Sequence, residues 1–219
     1  SQRERERETS ARYAIPYFGR SDWGASVYFA RFERVRPIGT ERFDETEDRF
    51  ELLALRDYTH GRPRRGWRVG GGVLWEREQN TGPFAPPANG TAVAAVALAD
   101  FEDLRFQVYS ETGARFRARL QGAARSFGSD YGYNRAEIEW FLSRSWGDGP
   151  HQTWHVLGAA GHRGGRRGPT DEFTLGGSSR LRGYDSEFLE GDRYWYGAFE
   201  ILRPLGRDWL RGVALLEAG

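Results

Sequence analysis

The chain is 219 residues long, enough for one large domain or two small ones; its 32 basic residues, all Arg, nearly balance 31 acids for a net charge of +1. That balance argues against nucleic acid as a partner, because phosphate binding calls for a concentrated positive field, and the absence of cysteine excludes disulfides, thiolate metal sites and nucleophilic thiols. No run of about 18 apolar residues occurs, which excludes a transmembrane helix but not a barrel, whose signal is only alternation over roughly ten residues.

Residues 1–11 open with Ser1-Gln2-Arg3-Glu4-Arg5-Glu6-Arg7-Glu8, alternating charges with no apolar face, and read as a charged tail or linker. Strand-like runs follow near 12–18, 24–34, 48–58, 65–77, 91–101, 113–125, 133–146, 151–162, 192–204 and 210–219. In the clearest of them Ala114, Phe116, Ala118 and Leu120 alternate with Arg115, Arg117 and Arg119, the period of a two-faced strand. The apolar face either packs on a core or meets lipid; in the second case the three arginines are lumen-facing. Ala136, Ile138, Trp140 and Leu142 repeat the pattern against Arg135, Glu137 and Glu139, and Trp67, Val69, Val73 and Trp75 form another such face. No sustained spacing of three and four competes for a helix. The fold class expected is all-β, an antiparallel transmembrane β-barrel.

Tight turns at 146–151 and 204–208, made by Gly, Pro and Asp, alternate with longer polar connections near 35–48, 78–90, 126–132 and 163–191. Short turns at one end and long loops at the other describe an outer-membrane barrel. Tyr131, Tyr133, Trp146, Tyr194 and Trp209, near strand ends, fit interfacial girdles. The rival sites are weak. His151 and His155 lack a third metal ligand, Gly164–Gly168 lacks the ending of a phosphate loop, and Ser178 and Ser179 lack a nucleophile context. Nothing places Glu102 with Asp103, or Glu137 with Glu139, in an apolar pocket that would raise a carboxyl pKa. No enzyme, cofactor or metal site is expected.

The longest connection holds Phe173-Thr174-Leu175-Gly176-Gly177-Ser178-Ser179-Arg180-Leu181-Arg182-Gly183-Tyr184, followed by Gly191-Asp192-Arg193 and by Glu200-Ile201-Leu202-Arg203-Pro204. Gly176, Gly177 and Gly183 permit positive φ and close backbone approach, which a loop needs to double back into a lumen. An Arg at its tip then requires a carboxylate. By parity Glu200 points opposite to Phe199 and Ile201, toward the lumen; Glu217 shares parity with Val213 and Leu215, so alternation leaves its direction open.

This stretch resembles the inward-folded loop of the BamA/TamA superfamily of outer-membrane β-barrels, the bacterial surface antigen family, with which the two-partner secretion transporters belong. The resemblance implies that Arg182, Gly183 and Tyr184 form the loop tip, that Glu200 and Glu217 are lumenal acid partners of Arg182, and that residues 192–204 correspond to the family's twelfth strand. Glu217 stands where Asp is usual, in Leu216-Glu217-Ala218-Gly219. On this reading 12–219 is a partial barrel, about ten strands of sixteen, with an inward-folded loop at 163–191 and without closing strands or POTRA domains; an open, curved sheet is expected. The absence of Met and of a signal peptide is expected to reflect cleavage or truncation.

The implied location is the bacterial outer membrane, and the implied partners are its lipids and lipopolysaccharide, unfolded outer-membrane or secreted polypeptide clients, and accessory lipoproteins. The implied function is outer-membrane protein insertion or polypeptide translocation. The alternatives are a two-partner secretion transporter, a passive porin or receptor, and a soluble all-β binding protein.

Overall fold

The computed structural model describes residues 6–18, 21–38, 41–59, 65–83, 85, 89–107, 110–147, 152–165, 173–177, 180–185, 188–207 and 209–219. Ten strands form one sheet: β1 (Glu6–Ile15), β2 (Trp23–Ile38), β3 (Glu41–Asp57), β4 (Arg65–Thr81), β5 (Gly90–Gln107), β6 (Ser110–Ala123), β7 (Tyr133–Trp146), β8 (Gln152–Gly165), β11 (Arg193–Arg207) and β12 (Leu210–Ala218). Their order is β1-β2-β3-β4-β5-β6-β7-β8-β11-β12, with β1 and β12 at the two ends. Each adjacent pair is antiparallel, an up-and-down meander. Two three-residue strands, β9 (Phe173–Leu175) and β10 (Leu189–Gly191), pair separately within the long connection.

All ten expected strands are present, several of them longer than expected. Residues 6–11, read as part of a tail, belong to β1, and the expected connection at 35–48 is largely strand, since β2 runs to Ile38 and β3 starts at Glu41. Main-chain pairing is indifferent to side-chain charge, and the register supplies compensation: Arg7 lies opposite Glu33, and Arg31 opposite Asp48, with 3.8 Å between the latter charges. The turn at 148–150 and His151 lie outside the described residues.

Contacts between non-adjacent strands show which face is concave. Arg119 on β6 reaches Glu51 on β3, and the Tyr133 hydroxyl on β7 donates to Glu76 on β4 at 2.8 Å. Following the register outward from these residues assigns every strand. On β4, Leu74 is on the inner face at 0% exposure while its neighbour Val73 is on the outer face at 49%. Two apolar clusters occupy the concave side. One joins Leu53, Leu74, Val96 and Tyr133; the other lies under the long connection.

The outer face carries Phe29, Leu52, Val73, Leu120, Ile138, Trp140, Trp195 and Phe199, all exposed. This is the reverse of a soluble sheet, whose apolar face would be covered. Trp146 and Trp209 are exposed near strand ends as expected for a girdle. Tyr133 and Tyr194 are not part of it: both are buried on the concave side, and Tyr131 packs on the same cluster as Tyr133. There each phenol finds apolar cover for its ring and a partner for its hydroxyl, as Tyr133 does with Glu76.

Candidate functional site

The long connection is closed at its base by β9 and β10, where Leu175 faces Leu189 and Phe173 faces Gly191. Gly176 and Gly177 then turn the chain with φ of 131° and 86°. A Cβ on Gly176 would sit 2.2 Å from the Asp185 carbonyl oxygen, so both backbone angle and space demand glycine there. Gly177 N–H donates to the Tyr184 carbonyl at 3.1 Å, and Tyr184 N–H to the Leu181 carbonyl at 3.2 Å. Leu181, Arg182, Gly183 and Tyr184 thus make a tight turn whose third residue, Gly183, has φ 112°, a value that suits glycine.

Leu181 is itself at φ 53°, the single non-glycine residue with positive φ among the described residues. Its side chain is buried among Phe173, Leu175, Tyr194, Tyr196, Ala159 and Ala198. Burial of that side chain offsets the cost of the left-handed backbone, which is of order 1–3 kcal/mol. The turn therefore enters the concave face with Leu181 down and Arg182 beside it.

Arg182 meets two acids. Its Nη2 donates to Glu200 on β11, its Nε donates to Glu217 Oε1 on β12 at 3.1 Å, and its backbone N–H donates to Glu217 Oε2 at 2.7 Å. The Glu200 and Glu217 side chains are only 14% and 8% exposed. The hydrogen bond to Glu200 is the main cause, with Glu217 adding to it, of a guanidinium pKa held well above its ordinary range against the effect of burial. The register answers what alternation left open: Glu217 pairs with Ala198, two residues from Glu200 and on the same face. Val213 and Leu215 share that inner face and stay exposed near the end of the sheet.

Four further side chains complete the site, His155, Tyr196, Arg180 and Glu139, none of them assigned to it from sequence. His155 Nδ1 lies 3.0 Å from the second oxygen of Glu200. The Tyr196 hydroxyl donates to Glu217 Oε1 at 2.6 Å. Arg180 Nη2 donates to Glu139 Oε1 on β7 at 2.5 Å, and its guanidinium lies over the Tyr194 ring at 5.0 Å. Tyr196 shares parity with Glu200, Glu139 stands on the charged side of the 135–142 alternation and His155 between Trp154 and Val156, signals present in the sequence; Arg180 carries no such mark. Tyr184 is exposed and stacks on Phe188 with ring centroids 4.8 Å apart.

The arginine row of β6 is on the concave face. Arg119 pairs with Glu51, Arg117 with Asp100 at 2.9 Å, and Arg115 lies over the Phe141 ring at 5.7 Å. Arg115 and Arg117 border a cavity of about 510 Å³ that also includes Arg68, Asp100 and Glu102. Of the weaker sites, Ser178, Ser179 and residues 166–168 lie outside the described residues, as does His151. His155 is engaged by Glu200, while Glu137 and Glu139 are engaged by Arg135 and Arg180.

Consecutive antiparallel strands curled around a charged interior, apolar outside, with a long connection docked inside, define a partial β-barrel. The structure of BamA from Haemophilus ducreyi lacking POTRA domains 1–3 matches with a TM-score of 0.73 at 10% identity, over 97% of this chain and 49% of that chain. The likeness is one of fold, and the chain spans about half the length of that structure. No family model and no curated protein sequence matches the chain.

Proposed function

We propose that this chain forms the wall of a bacterial outer-membrane β-barrel that inserts outer-membrane proteins or translocates polypeptides, with the loop bearing Arg182 holding the barrel in its competent state. The observation that carries this reading is the docking of Arg182 on Glu200 and Glu217. A passive wall has no need of a turn whose arginine satisfies two shielded carboxylates on the last two strands of the sheet.

Membrane placement rests on the outer face. Between Asn134 and Arg144 on β7 its residues are Ala136, Ile138, Trp140 and Leu142; between Arg193 and Arg203 on β11 they are Trp195, Gly197, Phe199 and Ile201. Ten residues at about 3.4 Å each, tilted by about 40°, span roughly 25 Å, the height of the apolar band of an outer-membrane barrel. Lipids and lipopolysaccharide are the partners of that face. The clients are unfolded outer-membrane or secreted polypeptides, with accessory lipoproteins as further partners.

The work is mechanical, with no covalent step. Client strands pair with a sheet edge through main-chain hydrogen bonds, while the docked loop keeps the wall in register. The test is client assembly by the full-length protein carrying Arg182→Ala. Loss of assembly with the barrel still folded in the membrane is the expected result; normal assembly would overturn the role.

A further inference from the structure

We infer that the loop is held by two separate latches, and that Arg180 on Glu139 is the second, a positioning contact that ties the loop to β7 as Arg182 ties it to β11 and β12. The inference rests on the reading of the loop as a docked element, but its test reads docking itself and uses no client.

Three observations lead there. First, the register leaves Glu139 available. Arg117 lies directly opposite Glu139 across the β6–β7 pair, yet it hydrogen-bonds to Asp100 on β5, and Arg119, opposite Glu137, reaches back to Glu51 on β3. Arg117 and Arg119 thus make their hydrogen bonds to the earlier strands, while Arg115 lies over Phe141, and the acids of β7 make theirs toward the loop side. Glu137 takes Arg135 and the Tyr194 hydroxyl, and Glu139 takes Arg180.

Second, Arg180 is fixed by more than charge. Its guanidinium lies over Tyr194, whose ring packs on Phe173 at 4.8 Å, so the arginine is part of the same packed unit as the base of the loop. Third, Leu181 separates the two arginines. Its left-handed backbone and buried side chain form a fulcrum, with Arg180 directed to β7 on one side and Arg182 to β11 and β12 on the other. Arg180, Leu181 and Arg182 therefore bridge four consecutive strands, β7, β8, β11 and β12. A single latch would hold the tip and leave this part of the wall free to flatten; two fix its curvature as well.

The test uses the absence of cysteine from the chain. Leu181→Cys is the single thiol of residues 1–219, shielded when the loop is docked, and its maleimide labelling rate in the folded, membrane-embedded full-length protein, with any cysteine outside these residues replaced by Ser, reports opening. In that background Arg180→Ala and the near-isosteric Glu139→Gln are each expected to speed labelling by about five-fold, the scale of a partly exposed ion pair. Together they should do no more than either alone, the exchange Arg180→Glu with Glu139→Arg should restore slow labelling, and Glu217→Gln should multiply the Arg180→Ala effect. Unchanged labelling in Arg180→Ala, or effects of Arg180→Ala and Glu139→Gln that simply multiply, would overturn the second latch. Failure of Arg182→Ala to impair client assembly would leave this result standing, so the two readings fall separately.

Discussion

Replacing Glu217 with Gln perturbs the docked loop at one carboxylate while keeping its shape. Glu217 Oε1 accepts from both Arg182 Nε and the Tyr196 hydroxyl, so the amide oxygen of Gln must occupy that corner. The amide nitrogen then faces the Arg182 backbone N–H, which in the native protein donates to Oε2 at 2.7 Å, and two donors oppose each other. A hydrogen bond to a charged group contributes about 1.5–3 kcal/mol. Glu217 is 8% exposed, which favours the upper part of that range, but Arg182 is 37% exposed and keeps Glu200, which lowers it. A loss of about 2 kcal/mol is expected, or roughly 30-fold in the ratio of docked to open loop. Hydrogen exchange of the Arg182 amide in a lipid-reconstituted full chain measures that ratio directly. Exchange accelerated about 30-fold is the expected outcome; exchange unchanged from the native protein would refute the reasoning, since the amide would then be protected by something other than Glu217.

Two further predictions test the surroundings. Ile138→Arg places a charge in the middle of the outer apolar band on β7 and should lower unfolding stability in lipid vesicles by about 2–4 kcal/mol, whereas a water-facing site would change by less than about 0.5 kcal/mol. Gly176→Ala forces a side chain into φ 131° with its Cβ 2.2 Å from the Asp185 carbonyl. The turn must shift, so Arg182 amide protection should fall although no contact of Arg182 itself is altered; retained protection would show that the turn absorbs the strain.

The ten main strands were legible because strand pairing writes a period of two into the chain, clearest from Ala114 to Leu120, where three arginines share one face. Where both faces are charged the period is invisible, so β1 at its start and the turn end of the β2–β3 hairpin did not declare themselves; main-chain pairing holds them in the sheet. Glycines and the Arg182 turn marked the loop because their backbone requirements are local. Tyr133 and Tyr194 were legible as aromatics near strand ends but not as interior residues, since that depends on which way the sheet curls.

By itself, then, the sequence determined an up-and-down sheet with one polar and one apolar face, and a glycine-hinged arginine in need of an acid. Alternation and turn chemistry are properties of neighbouring residues, and they survive without knowledge of the fold. Only the tertiary structure decided that Glu217 points inward, that His155 and Tyr196 belong to the same network, and that Arg180 closes on Glu139. Those contacts join residues 21 to 45 positions apart in sequence, on separate elements, and follow from register and curvature, which no local pattern records.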